Sequence, residues 1–361
     1  MSSNYKIAVL PGDGIGPEVI RESIKVFKKV QPGLKSKLAL TEYDLGAAQY
    51  LKTKEALPDS VYKELAASDC ILLGAVGDPK VAPGILERGI LLKLRFDFDL
   101  YINLRPCQLF EGVYTPLKGK TPKDINFVVV RENTESVYAG MGGVFKKGTP
   151  QEVAIQEDMN TRVGVERCVR FAFQYCKDRG YRNQLTLVDK ANVLTYAHDL
   201  WRRTFEEVGA EFASIKRNAL YVDAAAMDFV RRPELFDCLV TNNIFGDIIT
   251  DLGAVISGGL GLAASANINA DRKPGKSGGC MGLFEPIHGS APDIAGKGLA
   301  NPLAAIGALR MMLEHLGETE AGQKISGAVN KAIASKKIFK PESTDTQTST
   351  SAIGDLVASF L

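Results

Sequence analysis

An α/β fold is what this sequence predicts, with helices packed on a largely parallel sheet. Three observations lead there. Short apolar, β-branched runs alternate with longer amphipathic ones over most of the chain, the pattern left by strand–helix–strand units. At 361 residues the chain exceeds what one domain ordinarily needs and suits two. Forty-five per cent hydrophobic residues against 24% charged describe an ordinary buried core, and no internal repeat or long low-complexity stretch interrupts it.

Taken in order, KIAVLPG (6–12) reads as a strand and PEVIRESIKVFKKV (17–30) as a helix, with Pro17 in the first turn, where its missing N–H is not needed. CILLGAVG (70–77) and INFVVVREN (125–133) are strand-like. Helix-like VERCVRFAFQYCKDRG (165–180), strand-like QLTLVDK (184–190), helix-like LWRRTFEEVGAEF (200–212) and strand-like DCLVTNN (237–243) follow. A helix over 244–256 carries GDIITD, and NPLAAIGALRMMLEHLG (301–317) reads as a buried helix closed by Gly317. ADRKPGKSGGC (270–280) and KPESTDTQTSTS (340–351) read as surface segments.

A net charge of +2 exerts no pull toward nucleic acid or anionic membranes, so the expected partners are small molecules or a second copy of the chain. No apolar run reaches the ~18 residues that a membrane helix needs. MSSNYKIAVLPGDG lacks a basic region followed by a long apolar one, which makes the expected location cytoplasmic. The six cysteines show no CxxC spacing and read as reduced thiols.

PGDGIGPEVI lies between strand and helix and invites a dinucleotide-binding reading, but the spacing fails. Gly12, Gly14 and Gly16 give G-x-G-x-G, and Pro17 occupies the place where the third glycine of G-x-G-x-x-G would pack helix on strand. Glu42 and Asp44 could pose as the ribose-binding acid. A tight glycine turn near a cleft is the preferred reading.

GDIITD (246–251) sets Asp247 and Asp251 four positions apart, neighbours on one helical face in the otherwise apolar IFGDIITDLGAVISGGLGL. Like charges there repel. One reading is a solvated acidic face. The other is a hard divalent cation held by carboxylate oxygens, since acids embedded in an apolar helix seldom lack a partner. Arg95, Arg105 and Arg131 carry planar forks that pair bidentately with carboxylates. Together they suit a di- or tricarboxylate; singly, each reads equally as a salt-bridge residue. Tyr138 and Lys190 are candidate proton carriers, or ordinary structural residues.

PGDGIGPE, ERGILLKLR, NLRP, VVREN, DKANVL, NIFGDIITD and EPIHGSAPDIAGKGLANP occur in an order that resembles the β-decarboxylating dehydrogenases, the isocitrate/isopropylmalate dehydrogenase family, and its isopropylmalate branch most of all. The resemblance covers essentially the whole chain. It implies a two-domain fold with a central mixed sheet flanked by helices and no Rossmann turn, residues 1–105 and 257–361 forming the cofactor-side domain and 106–256 the second. It implies a 2-hydroxy acid substrate held by Arg95, Arg105 and Arg131, and Mg²⁺ or Mn²⁺ held by Asp247 and Asp251 with Asp223 from a second subunit. Hydride would pass from C2 to NAD while Lys190, also from the second subunit, takes the hydroxyl proton; CO₂ then leaves and Tyr138 protonates the enol. A homodimer with shared active sites follows.

The same resemblance places His288, Gly289, Ser290, Ala291, Asp293, Ile294 and Asn301 in a loop against the adenosine. Asp293 points to NAD over NADP, because a carboxylate accepts hydrogen bonds from ribose hydroxyls and repels a 2′-phosphate. Leu91 and Leu92 would face the third substituent of the substrate, and Glu87 the nicotinamide side. Isocitrate-specific relatives carry serine and asparagine where Gly89 and Leu91 stand, and burying one branched aliphatic group is worth about 1.5–3 kcal/mol, so isopropylmalate is expected. RENTESVYAG looks more like the isocitrate and tartrate branches, which keeps isocitrate, tartrate and D-malate as alternatives.

Overall fold

The computed structural model describes residues 4–272 and 279–361. In chain order the first part runs β1 (Asn4–Gly12), α1 (Gly16–Val30), β2 (Lys37–Glu42), α2 (Ala47–Thr53), α3 (Asp59–Ala66), β3 (Cys70–Ala75), a π-helical stretch (Glu87–Leu92) continuing into α4 (Lys93–Asp97), and β4 (Ile102–Gln108). The middle runs β5 (Asn126–Glu132), β6 (Gly142–Phe145), β7 (Val153–Gln156), α5 (Arg162–Arg179), β8 (Gln184–Asp189), α6 (Ala197–Gly209), β9 (Lys216–Tyr221), α7 (Val222–Arg231), β10 (Cys238–Thr241) and α8 (Asn243–Ile256). The chain closes with β11 (Ala264–Ile268), β12 (Gly282–Pro286), α9 (Leu303–His315), α10 (Thr319–Ala334) and α11 (Thr350–Ser359).

Ten strands form one sheet in the order β2-β1-β3-β12-β11-β4-β5-β10-β8-β9, and β6 pairs β7 in a separate hairpin. The wings are parallel, as the alternation of strand and helix predicts. The middle is not: β12–β11, β11–β4 and β4–β5 pair antiparallel. Inner strands such as β3 (CILLGA) and β10 (CLVT) are buried at every position because both faces of the sheet are covered, which explains why they read as continuous apolar runs.

α9 is packed on nearly all sides, with Leu303, Ala304, Ala305, Ile306, Ala308, Leu309, Met311, Met312 and Leu313 buried, and Gly317 follows it at φ 85°. The helix expected over 244–256 is α8. The expected domain boundaries fall inside β4 and at the end of α8. All six cysteines are free and buried. Of the expected surface segment 270–280, residues 273–278 lie outside the described residues, and Cys280 at its end is fully buried. Residues 340–349 lie at the surface or half-buried; Thr350 is buried as α11 begins. Among the described residues no helix is long and apolar enough to cross a membrane.

His315 ends α9 with its ring 5.6 Å from that of Phe284, and its Nε2 has no hydrogen-bond partner among the described residues. Burial pushes its pKa from 6.5 down to about 4. The unfolded chain takes up a proton near the ordinary value while the folded chain does not, so stability is full above ~6.5 and is lost as pH falls toward 4. His315→Leu should therefore flatten the decline in melting temperature between those pH values. An unchanged decline in thermal melts at pH 7.5 and 4.5 would assign the acid lability elsewhere.

Candidate active site

The site grows from the antiparallel middle of the sheet. β4 carries Arg105 and β5 carries Arg131, and both side chains are buried, at 8% and 1% exposure. A buried guanidinium needs partners on every side. α8 supplies most of them. Asn242 caps it, its side-chain oxygen accepting the Phe245 N–H at 3.1 Å, and this sets which residues of the first turns face the sheet. Arg131 donates through Nη1 to Asp247 Oδ1 at 2.5 Å and through Nε and Nη2 to Asn243 Oδ1 at 2.9 and 2.6 Å. Arg105 donates to Thr250 Oγ1 at 2.9 Å and approaches Asp251 at 3.5 Å and Asp247 at 3.8 Å. Arg95, on α4, pairs with Glu285 of β12 at 2.9 Å.

The two acids of GDIITD thus have cationic partners inside the chain, and these are arginines. Arginine pairing is a third answer beside the solvated face and the divalent cation. Burial raises the Asp247 carboxyl, but the Arg131 and Arg105 charges prevail and hold it below the usual range. Asp251 goes the other way, raised by burial, which Arg105 only partly offsets. Burial draws Arg131 down to about 10, still charged at neutral pH. Tyr138 donates its hydroxyl to Asp247 Oδ2 at 2.9 Å and lies 5.2 Å from the Arg131 guanidinium; burial, opposed by Arg131 and helped by Asp247, raises its pKa and keeps the phenol protonated.

Arg95, Arg105, Arg131, Tyr138 and Asp247 line one open cleft of roughly 300 Å³ that also takes in Glu87, Leu91, Leu92, Glu285, His288 and Gly289; Asp251, one turn further along α8, is not among its lining residues. A second cavity of about 570 Å³ is lined by Gly77, Glu87, Gly289, Ser290 and Pro292, so Glu87 and Gly289 border both. Lys190 and Asp223 do not line the cleft. Lys190, just past β8, instead donates to Asp223 in the first turn of α7 at 2.5 Å. Nor does Asp223 gather with Asp247 and Asp251 in one chain. Among the described residues the single group of three or more potential ligands within 4.8 Å is Cys176, Asp237 and Cys238, where Arg179 already neutralises the carboxylate.

The 288–301 loop is held from beneath by the glycine turn. The Ile15 N–H donates to the Ser290 carbonyl at 2.8 Å, and a Cβ on Gly14, whose φ is +58°, would strike that same carbonyl. The N–H groups of Asp13 and Gly16 go to the Ala75 and Asp13 carbonyls, so three donors of the turn are engaged within the protein and hold the loop in place. Glu18 accepts the N–H groups of Gly296 and Gly298, and Ala291 and Ile294 pack on Ile15 and Val19, which turns those two side chains toward α1. Asn301 Oδ1 accepts the Leu303 N–H at 3.1 Å at the start of α9, and Asp293 is exposed. The His288 Nε2 is buried without a partner among the described residues, an orphaned polar atom beside the cleft.

Sequence reasoning missed Asn103, Asn243, Thr250 and Glu285, the residues that hold the arginines. NLRP, NIFGDIITD and EPIHG contain them, and their signal was a polar residue one to four positions from a site residue.

Convergent buried arginines, a protonated phenol and a carboxylate around one cleft define an enzyme for a small carboxylate. Comparison with known proteins agrees. The isocitrate/isopropylmalate dehydrogenase family model matches residues 6–357. The chain is 56% identical over 324 residues to 3-isopropylmalate dehydrogenase of Thermobifida fusca, covering 90% of each, and 49% identical over 358 residues to that of Streptomyces griseus, covering 99% of each. Isocitrate dehydrogenase from Methylococcus capsulatus has the same fold, with a TM-score of 0.86 and 37% identity over 99% of both chains. The chain belongs to the isocitrate/isopropylmalate dehydrogenase family and is an oxidoreductase with a small-molecule substrate.

Gly246 tests the architecture. A Cβ there would sit 2.5 Å from Arg131 Cγ, so Gly246→Ala must move the arginine from Asp247 and Asn243. Such overpacking costs about 1–3 kcal/mol of stability, and activity should fall about a hundredfold or more. Wild-type kinetics in this variant would mean that the position of Arg131 is not critical.

Proposed function

We propose that this chain catalyses the NAD-dependent oxidative decarboxylation of 3-isopropylmalate in leucine biosynthesis, with Mg²⁺ or Mn²⁺, as a cytoplasmic homodimer with shared active sites. The observation that carries this is the composition of the cleft, in which half-buried Leu91 and Leu92 stand beside Arg95, Arg105, Arg131 and Tyr138. An isopropyl group would bury against those leucines for about 1.5–3 kcal/mol. The serine that isocitrate-specific relatives carry has no room here, since a Cβ on Gly89 would lie 2.6 Å from that of Ala56. Relatives named for 3-isopropylmalate, at 56% and 49% identity, support the same reading.

The arginine forks bind and orient the two carboxylates of the acid. Lys190 accepts the C2 hydroxyl proton, and Tyr138, kept protonated by burial, delivers a proton to carbon after CO₂ leaves. Asp247 and Asp251 offer hard oxygen donors that fit a divalent cation, and Asp251 is 63% exposed with Arg105 as its one ion-pair partner among the described residues. Asp223 of the partner subunit would join them. When bound, NAD would supply the hydride acceptor for C2, and a divalent cation held by Asp247, Asp251 and Asp223 of the partner subunit would supply Lewis acidity for the oxidation and the decarboxylation. The orphaned His288 nitrogen and exposed Asp293 fit a nicotinamide dinucleotide without a 2′-phosphate.

Dimerisation is supported by what surrounds the outlying residues. Asp223 shares its face of α7 with exposed Met227 and Val230, and Asp251 shares its face of α8 with exposed Ile248 and Val255. The β6–β7 hairpin exposes Val144, Phe145, Val153 and Ile155. Burying these faces in a two-fold interface would bring one chain's Lys190 and Asp223 to the other's cleft. The two domains are taken as 1–105 with 257–361, and 106–256.

A substrate panel with NAD and NADP in parallel tests the assignment. 3-Isopropylmalate with NAD should give the highest kcat/KM, at least about tenfold above D-malate by the leucine contact. Isocitrate or tartrate in first place would favour the second reading, suggested by RENTESVYAG and by the structural likeness to an isocitrate dehydrogenase. Shared sites make a separate prediction. Lys190→Ala and Asp247→Asn homodimers should each be nearly inactive, and exchanging their subunits should restore about a quarter of wild-type activity, because half the dimers then hold one intact site. No recovery after verified exchange would place the whole site in one chain.

A further inference from the structure

The arginines of the cleft are linked by a row of amides beneath them. Cross-strand register sets Arg131 of β5 opposite Asn103 of β4, Asn103 opposite Asn267 of β11, and Asn267 opposite Leu283 of β12. Arg105 and Glu285 lie two residues further along β4 and β12, hence on the same face as Asn103 and Leu283. Side-chain bonds follow the row. Asn267 Oδ1 accepts from Asn103 Nδ2 at 2.8 Å and from Asn133 Nδ2 at 3.0 Å, while its Nδ2 donates to Glu285 Oε1 at 2.8 Å and to the Leu283 carbonyl at 3.1 Å. At one end Asn103 Oδ1 accepts Arg105 Nε at 2.8 Å; at the other Glu285 Oε1 accepts Arg95 Nη2 at 2.9 Å. Asn103 and Asn267 are both fully buried.

We propose that Asn267 is a positioning residue that sets the separation and aim of Arg95 and Arg105, and through them the affinity for the substrate's carboxylates. The inference rests on the proposed function insofar as those arginines bind carboxylates. Arg95 stands on a helix and Arg105 on a strand, and the chain Glu285–Asn267–Asn103 spans the gap between them. The central member must accept on one side and donate on the other, which an amide does with all four of its hydrogen-bonding positions engaged. A carboxylate in its place would face Glu285 with no proton to give and would add a buried charge. An aliphatic residue would release both ends. Serine is too short to span the gap but keeps one of the bonds. Placing a guanidinium fork wrongly by a fraction of a bond length weakens a bidentate contact, whereas among the described residues the side-chain bonds of this row do not reach the loop at 288–301.

The experiment is steady-state kinetics of full-length Asn267→Leu and Asn267→Ser, with hydroxy acid and NAD varied separately, alongside melting temperatures. Asn267→Leu should raise the KM for 3-isopropylmalate about tenfold or more and leave that for NAD within about twofold, and Asn267→Ser should fall between it and wild type. A lowered melting temperature with both KM values unchanged, or equal rises in both, would reduce Asn267 to a core residue and overturn the proposal. Should Asn267→Leu not fold, Asn267→Ser decides: a severalfold higher KM for the acid alone supports it and an unchanged one overturns it. If the wild type ignores 3-isopropylmalate, the substrate assignment fails, and the comparison is made with whichever acid of the panel is oxidised.

Discussion

Two guanidinium groups buried at the centre of a sheet constrain everything near them. Arg105 and Arg131 carry charge where water cannot solvate it, and an unpaired buried charge is worth several kcal/mol against folding. Asn103, Asn243, Thr250 and Asp247 each answer a specific N–H of these forks. The antiparallel centre makes this possible, because it puts β4 and β5 side by side with α8 across one face. A site organised in this way is set before any ligand arrives, so little rearrangement remains to be done on binding.

Much of this was legible in the sequence. Alternating strand and helix runs located β1, α1, β3, β5, α5, β8, α6, β10, α8 and α9, since each is long or strongly apolar. β11 and β12 were not located, being five residues each and bordered by glycine-rich segments, so the strand pattern alone showed only the parallel wings and the mixed sheet was legible only through the resemblance. Of the site, the residues with the most distinctive chemistry stood out: Arg95, Arg105, Arg131, Tyr138 and Asp247 do converge. The amides and the threonine that hold them did not, because a buried Asn looks like any other Asn until its partners are known. The spacing of the acids was read correctly, yet their partners are residues more than a hundred positions away, which periodicity cannot show.

The glycine turn at 12–16 illustrates how a familiar pattern can serve another purpose. The backbone donors of Asp13, Ile15 and Gly16 are spent on protein carbonyls, and the lack of a side chain at Gly14 lets the Ser290 segment lie against the turn. A motif that in other folds would touch a phosphate here carries the segment that borders the cleft. Lys190 and Asp223, bonded to each other away from the cleft, are the complementary case, since the roles proposed for them need a cleft that their own chain does not bring to them.

The placement of β12 between β3 and β11 has a consequence for biosynthesis. β1 and β3 are among the first segments to leave the ribosome, but the far edge of β3 finds its neighbour only when residues 282–286 have emerged. For most of translation that edge presents unpaired N–H and C=O groups on an apolar strand, the kind of surface that recruits other strands. The nascent amino-terminal half therefore keeps an open sheet edge until the last third of the chain closes it.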